Sequence, residues 1–90
     1  MEVFFKPSFI KDFKALPTPV KQETRKIFTE VFPCLHNLYD LKGYDLKTIT
    51  GFKNYYRIRL GHYRVGFKKE NHSIIFMRVR HRKDIYKHFP

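Results

Sequence analysis

The second half of the chain alternates apolar and basic residues at the two-residue period that is typical of β-strands. In residues 55–60, Ile58 and Leu60 share one face of the predicted strand, and Arg57 and Arg59 share the other. Such a strand directs its apolar side chains into the protein and its cations to the opposite face of the sheet. The basic face is therefore the first candidate for a binding surface.

Two further segments continue the alternation, and the short turns between them predict an antiparallel meander. In the middle segment, Val65 and Phe67 are expected to face the core and Arg64 to face outward. The last segment follows a turn at residues 69–72. Its alternation predicts inward positions for Ile75, Met77 and Val79, and outward positions for Phe76, Arg78 and Arg80.

The first third of the chain follows the helical period instead, after a short strand candidate at residues 2–6. One helix is predicted from Ser8, its expected N-cap, to Pro17, which stops it. A second helix is predicted from Thr18, also as N-cap, to Pro33. The apolar residues that mark the buried side of these helices are Phe9, Ile10, Phe13, Leu16, Val20, Ile27, Phe28 and Val31.

These elements predict one domain of the α+β class that spans residues 1–90. An N-terminal strand and a two-helix hairpin are expected to pack on a three- to four-stranded antiparallel sheet, and a short helical tail is expected to end the chain. Residues 34–53 are less regular, with leucines that anchor them to the core. No repeat, linker or low-complexity segment divides the chain.

Charge narrows the choice of partner. Nineteen Lys and Arg residues oppose eight Asp and Glu residues, for a formal net charge of +11 and a pI near 10.0. A folded domain this basic is expected to bind a polyanion, with nucleic acid favoured over an acidic protein. The alternative is a charge excess that only keeps the domain soluble.

A membrane partner is not expected, and the cytoplasm is the predicted location. No apolar run approaches the roughly 20 residues that a membrane-spanning helix needs. The N-terminal residues also lack the charged-then-apolar order of a signal peptide.

The basic face has the chemistry of a phosphate clamp. Arg57, Arg59 and Arg64 are expected on one sheet face, and the tail adds Arg82. Guanidinium groups bind phosphate through paired hydrogen bonds and stabilise the extra charge of a five-coordinate transition state. RNA carries its own nucleophile, the 2′-hydroxyl, so the protein needs only a base and an acid. Neither a metal nor a cofactor is expected.

Proton transfer is expected from the tail, because arginine, with a pKa above about 12, is a poor acid–base group. His81 and Tyr86 are the candidate proton carriers, and His81 is favoured because histidine titrates near neutral pH. Acidic residues are sparse around the clamp, which argues against a metal-dependent nuclease. The sequence also has no glycine-rich phosphate loop and no Cys/His zinc pattern.

Further basic and aromatic residues around the clamp are candidate RNA contacts. They are Lys53, Tyr55, Lys68, Arg78 and Arg80. Cations pair with backbone phosphates, and an aromatic ring stacks on bases. Each has a structural alternative, since Tyr55 also fits the edge of the core and alternating arginines are often a solvated face.

Two motifs in combination resemble the RelE/ParE superfamily of toxins, and the RelE branch in particular. They are YRIRLGHYRV at residues 56–65 and VRHRKDIY at residues 79–86, and the resemblance runs over nearly the whole chain. It implies an mRNA interferase that cleaves mRNA in the ribosomal A site by 2′-hydroxyl attack without metal. It also implies a cognate antitoxin that inhibits the toxin and mediates any contact with operator DNA.

The resemblance assigns roles to particular positions, with one departure. The paired basic residues of the family fall on Arg57 and Arg59, and its tail arginine and tyrosine fall on Arg82 and Tyr86. The arginine of its second strand falls on Arg64. The best-known RelE pattern has lysines at the first two positions, and a lysine can lose a proton where an arginine cannot. Base catalysis is therefore expected in the tail; the alternative is slow catalysis by charge stabilisation and substrate positioning alone.

Two other functions remain open. A ParE-like toxin of the same fold would inhibit DNA gyrase without being an enzyme. A basic binding module would have no toxic activity at all.

Overall fold

The computed structural model describes residues 1–90 and has an α+β fold built around a five-stranded mixed sheet. The strands are β1 (Glu2–Phe5), β2 (Asp45–Thr48), β3 (Tyr55–Leu60), β4 (Tyr63–Glu70) and β5 (Ser73–His81), in the spatial order β1-β5-β4-β3-β2. The helices are α1 (Pro7–Lys14), α2 (Thr18–Lys26) and α3 (Ile85–His88). A π-helical turn (Ile27–Val31) and two 3₁₀ turns (Phe32–Cys34 and Leu38–Asp40) connect α2 to β2.

Strands β3, β4 and β5 form the antiparallel meander that the alternation predicts. β1 pairs with β5 in parallel, and β2 pairs with β3 in antiparallel orientation. The α+β class is confirmed, although the sheet has five strands rather than three to four. β2 has only four residues, and all but Leu46 are exposed, so it lacks the alternation that marks the other strands.

A β-bulge in β5 reverses the predicted faces of the first half of this strand. Gly66 pairs with Arg78 and Phe67 pairs with Phe76, so Met77 is an extra residue between the two pairs. An extra residue shifts the alternation by one position, so the side chains on one side of the bulge point to the opposite face from the one that the regular pattern predicts. The prediction that Phe76 faces outward is therefore wrong, because Phe76 is fully buried. Met77, predicted to face the core, is only partly buried.

Helix α1 takes the place of a strand along the second half of the β5 edge. Beyond the end of β1, the Asp12 carboxylate accepts a hydrogen bond from the Val79 N–H at 3.2 Å. The Ser8 hydroxyl donates to the Met77 carbonyl oxygen at 2.8 Å, so Ser8 binds the sheet and is not the predicted N-cap. These contacts pair backbone groups that would otherwise form an exposed sheet edge.

The core between the helices and the sheet is aromatic. The Phe76 ring lies at its centre, with ring centroids 5.1 Å from Phe32 and 5.4 Å from Phe9. Fully burying one such side chain contributes about 1.5–3 kcal/mol to folding. The core occupies one face of the sheet, which leaves the other face to the arginines. None of the helices has the length and apolarity that crossing a membrane requires.

Candidate functional site

Three arginines lie side by side across the sheet face that is opposite the helices. Arg59 of β3 pairs directly with Arg64 of β4, and Arg64 pairs directly with Arg80 of β5. Like charges in directly opposite positions destabilise a sheet. An anion bound between the guanidinium groups would remove this repulsion and accept charge-assisted hydrogen bonds.

Arg57 lies on the same face, one row further along the strands and opposite Gly66. Only 9% of Arg57 is exposed. Its Nη1 donates to the Asp45 carbonyl oxygen at 3.3 Å and lies 3.5 Å from Oδ2 of the same residue. Strand β2, which the sequence pattern does not mark, therefore holds one arginine of the site in place.

Arg64 is fixed over the turn between β3 and β4. Its Nη1 donates to the carbonyl oxygens of Gly61 at 2.7 Å and Tyr63 at 3.0 Å. Gly61 has a φ of +58°, a left-handed conformation that favours glycine. The turn thus positions one nitrogen of the guanidinium and leaves the others able to bind an anion.

Electrostatics connect Arg64 to the rest of the site. Burial lowers the pKa of Arg64 below its usual value, and repulsion from Arg57 and Arg59 lowers it further. Tyr86 raises the pKa of Arg64, and Arg82 repels it more weakly. Since screened charges interact only at short range, these residues share one site. We call Arg57, Arg59, Arg64, Arg82 and Tyr86 the arginine cluster.

The C-terminal tail carries Arg82 and Tyr86 to the cluster. The Arg82 N–H donates to the His62 carbonyl oxygen at 2.7 Å, which ties the start of the tail to the turn between β3 and β4. Ile85 is fully buried and Phe89 is 2% exposed, so the tail is anchored at two further points. Between these anchors Tyr86 is 58% exposed, and a substrate can reach it.

His81 lies apart from the cluster, on the helix side of the sheet. It pairs with Tyr63 of β4, and its ring meets the Tyr63 ring edge-on at a centroid distance of 5.4 Å. Its Nδ1 accepts a hydrogen bond from the Lys83 N–H at 3.1 Å. Strand alternation directs His81 and Arg80 to opposite faces, so the His81 side chain is not on the arginine side of the sheet.

Arg78 and Arg80, two of the candidate RNA contacts, bind a buried carboxylate. Arg78 donates to both Asp12 oxygens, from Nε at 2.8 Å and from Nη2 at 3.0 Å. Arg80 Nη1 reaches the same carboxylate at 3.4 Å. Asp12 was missed in the sequence, although its spacing from Phe9 and Leu16 puts a lone acid on the apolar side of α1.

The remaining candidate RNA contacts extend the basic face along β3 and β4. Tyr55 pairs with Lys68, and the Lys68 Nζ lies 5.3 Å from the centroid of the Tyr55 ring. A hydrogen bond to Glu70, followed by the proximity of Tyr55, raises the pKa of the partly buried Lys68. Lys53 is exposed in the loop before β3, beside the half-exposed Phe52.

The arginine cluster lies on an open face rather than in a cavity. The largest cavity, of about 560 Å³, lies at the opposite end of the sheet and is lined by Met1, Leu35 and the turn between β4 and β5. No three His, Cys, Asp or Glu side chains are grouped so that they could hold a metal ion. An open basic face suits an extended anionic polymer better than a small molecule.

Comparison with known proteins identifies the family. The family model described as the ParE toxin of the type II toxin–antitoxin system parDE matches residues 3–86. The chain belongs to the RelE/ParE superfamily of toxins. It is 44% identical over all 90 residues to Toxin RelE3 of Methanocaldococcus jannaschii, with full coverage of both chains.

Solved structures of RelE/ParE toxins agree with the fold. The RelB-RelE antitoxin–toxin complex from Methanococcus jannaschii contains a chain 41% identical to this one, with a TM-score of 0.80 and coverage of 97% and 99% of the two chains. The isolated E. coli RelE toxin is 17% identical, with a TM-score of 0.67 and coverage of 89% and 82%, and shares the fold.

Two contributors to the site of this RelE/ParE toxin lie outside the periodic sequence segments. Asp45 holds Arg57 from the unpredicted strand β2. Phe89, the penultimate residue, packs against Tyr55 with a ring-centroid distance of 5.8 Å. A lone aromatic residue after a basic tail gives no periodic signal, so only the structure reveals its burial.

Proposed function

We propose that this toxin is an endoribonuclease that cuts mRNA in the ribosomal A site through attack of the substrate's own 2′-hydroxyl. The observation that carries the proposal is the row of Arg57, Arg59 and Arg64 on one open sheet face, beside a tail that is tied to the β3–β4 turn and carries Arg82 and Tyr86. The similarity to Toxin RelE3 supports the same class of toxin.

The arginines serve as a clamp for the scissile phosphate. Arg59 and Arg64 stand directly opposite each other, so one phosphate between them would bind both guanidinium groups. In the five-coordinate transition state the phosphate gains negative charge, which strengthens these hydrogen bonds. Loss of one donor of this kind typically lowers the rate about 10²–10³-fold.

Tyr86 is the proton carrier that this geometry favours. As the 2′-oxygen forms a bond to phosphorus and the bond to the 5′-oxygen breaks, one proton leaves the 2′-hydroxyl and one reaches the 5′-oxygen. Tyr86 is exposed beside the arginines, where its phenol can give a proton to the 5′-oxygen and the phenolate so formed can take up the proton of the 2′-hydroxyl. Such a group typically contributes about 10²–10⁴-fold in rate. His81 is disfavoured by its place on the helix side of the sheet.

The proposed partners are the ribosome, its mRNA and a cognate antitoxin. The RelB-RelE complex of a similar toxin supports an antitoxin partner. With a net charge of +11, this chain would attract an acidic segment that covers the arginine cluster or displaces the tail. Operator DNA would then be contacted only through the antitoxin.

The proposal is tested by adding the purified chain to translating ribosomes and mapping the mRNA ends. We expect new ends with a 5′-hydroxyl on one fragment and a cyclic phosphate on the other, and loss of cleavage with Arg64→Ala. Intact mRNA with the wild-type chain would contradict the proposal.

A ParE-like gyrase inhibitor is the second candidate, because the matching family model is that of ParE toxins. This function needs no phosphate clamp joined to a proton carrier. Induction of a DNA-damage response in cells whose mRNA stays intact would favour it.

A further inference from the structure

Gly66 lies at a point where a side chain would collide with the C-terminal tail. Its neighbours Val65 and Phe67 are fully buried on the helix side, so a Cβ at Gly66 would point to the arginine side. That Cβ would lie 2.7–2.8 Å from three carbons of the Phe89 ring. The φ angle of Gly66 is not left-handed, so its backbone conformation does not require glycine. The missing side chain instead makes room for the ring.

Phe89 is buried away from the main core. It is 2% exposed, and neither it nor Ile85 belongs to the 13-residue core cluster. The ring rests on Gly66 and beside Tyr55, both on the arginine side of the sheet.

The two tail anchors, Ile85 and Phe89, enclose the exposed Tyr86. Helix α3 between them has only four residues, which is too short to be stable by itself. The Lys87 N–H donates to the Asp84 carbonyl oxygen at 3.0 Å within this turn, and Phe89 is the buried side chain that follows it. The orientation of Tyr86 therefore depends on the far anchor.

We propose that Gly66 and Phe89 form a latch that positions Tyr86 against the arginine cluster. Phe89 is a positioning residue, since it acts through Tyr86, and Gly66 is the seat that accepts its ring. The role in RNA cleavage rests on the proposed function, whereas the latch itself can be measured without any substrate.

Hydrogen exchange of the tail tests the latch directly. Gly66→Ala fills the seat and Phe89→Ala removes the ring, so both should speed exchange of the Lys87 amide by about tenfold or more. Phe89→Leu, which keeps an apolar side chain, should restore much of the protection. Phe52→Ala is the matched control. The Phe52 ring also packs beside the Tyr55 ring, with a centroid distance of 6.1 Å, but Phe52 lies outside the tail. Unchanged exchange in both Gly66→Ala and Phe89→Ala would overturn the latch.

Cleavage on ribosomes tests the positioning role. Both variants should lower kcat by about 10–100-fold with little change in KM, because a small misplacement of a catalytic group costs rate more than binding. The double variant should be no slower than the slower single variant, since both act through one contact. Independent, additive losses would overturn the shared role. If the wild-type chain does not cleave RNA but Gly66→Ala still loosens the tail, the latch stands and the proposed reaction fails.

Discussion

Arg59 and Arg64 lie directly opposite each other on neighbouring strands, on the same sheet face as Arg57. A sheet gains no stability from such a pair, because like charges in opposite positions repel. Binding sites often retain arrangements of this kind at the expense of stability. An RNA phosphate would supply the negative charge that the pair lacks.

Arg59→Gln should therefore stabilise the free protein while weakening RNA binding. Removing one charge of the opposed pair should raise the free energy of unfolding by about 0.5 kcal/mol, as measured by urea denaturation. Lys11→Gln, on the exposed side of α1, removes the same charge far from the cluster and should leave RNA affinity unchanged. An Arg59→Gln variant that is less stable and binds RNA as well as the wild type would contradict this account.

The arginine cluster should also set the salt dependence of RNA binding. Each phosphate contact to single-stranded RNA contributes about 0.7 to the slope of log K against log salt. Arg82→Gln should reduce the slope by about this amount, whereas Glu23→Gln should leave it unchanged. Titrations of a short single-stranded RNA at several salt concentrations measure both. Equal slopes for Arg82→Gln and the wild type would exclude Arg82 from the phosphate contacts.

Asp12 should be the most important carboxylate for stability. Asp12→Ala removes the partner of Arg78 and Arg80 and the acceptor for the Val79 N–H. Because the two guanidinium groups are partly exposed, the expected loss is about 2–4 kcal/mol rather than more. Urea denaturation measures the loss, with Glu30→Gln as an exposed control. A loss below about 0.5 kcal/mol would contradict the bridging role of Asp12.

The β-bulge predicts opposite outcomes for two neighbouring residues. Phe76→Ala should lower the free energy of unfolding by about 3–5 kcal/mol, since Phe76 is fully buried at the centre of the core. Met77→Ala should cost about 1 kcal/mol or less, since Met77 is the partly buried extra residue. The reverse order of the two losses would support the regular alternation predicted from the sequence instead.

The same two residues show how far the sequence predicts this fold. Alternation identified β3, β4 and the outward side chains of Arg57, Arg59 and Arg64, because these strands are regular. It assigned Phe76 to the wrong face, because a bulge changes the period by one residue without changing composition. The short strand β2 was not predicted for a related reason, since its mostly exposed residues follow no apolar pattern.

The candidate site was predicted in part for similar reasons. The motif at residues 79–86 places the tail close to the strands. It does not show to which face of the sheet each tail residue points. His81 still belongs to β5 and follows its alternation to the helix side, whereas Tyr86 lies in α3 and returns to the arginines. The pairing of Asp12 with Arg78 joins residues 66 positions apart, a contact that local patterns do not specify.

The most direct test of Tyr86 as the proton carrier compares two variants on translating ribosomes. It measures the rate of mRNA cleavage by Tyr86→Phe and by His81→Ala. Tyr86→Phe keeps the ring and removes the hydroxyl, so a proton carrier at this position predicts a rate about 10²–10⁴-fold lower. His81→Ala changes a residue on the helix side of the sheet and should cleave within a few-fold of the wild type. Wild-type cleavage by Tyr86→Phe together with loss of cleavage in His81→Ala would contradict the account.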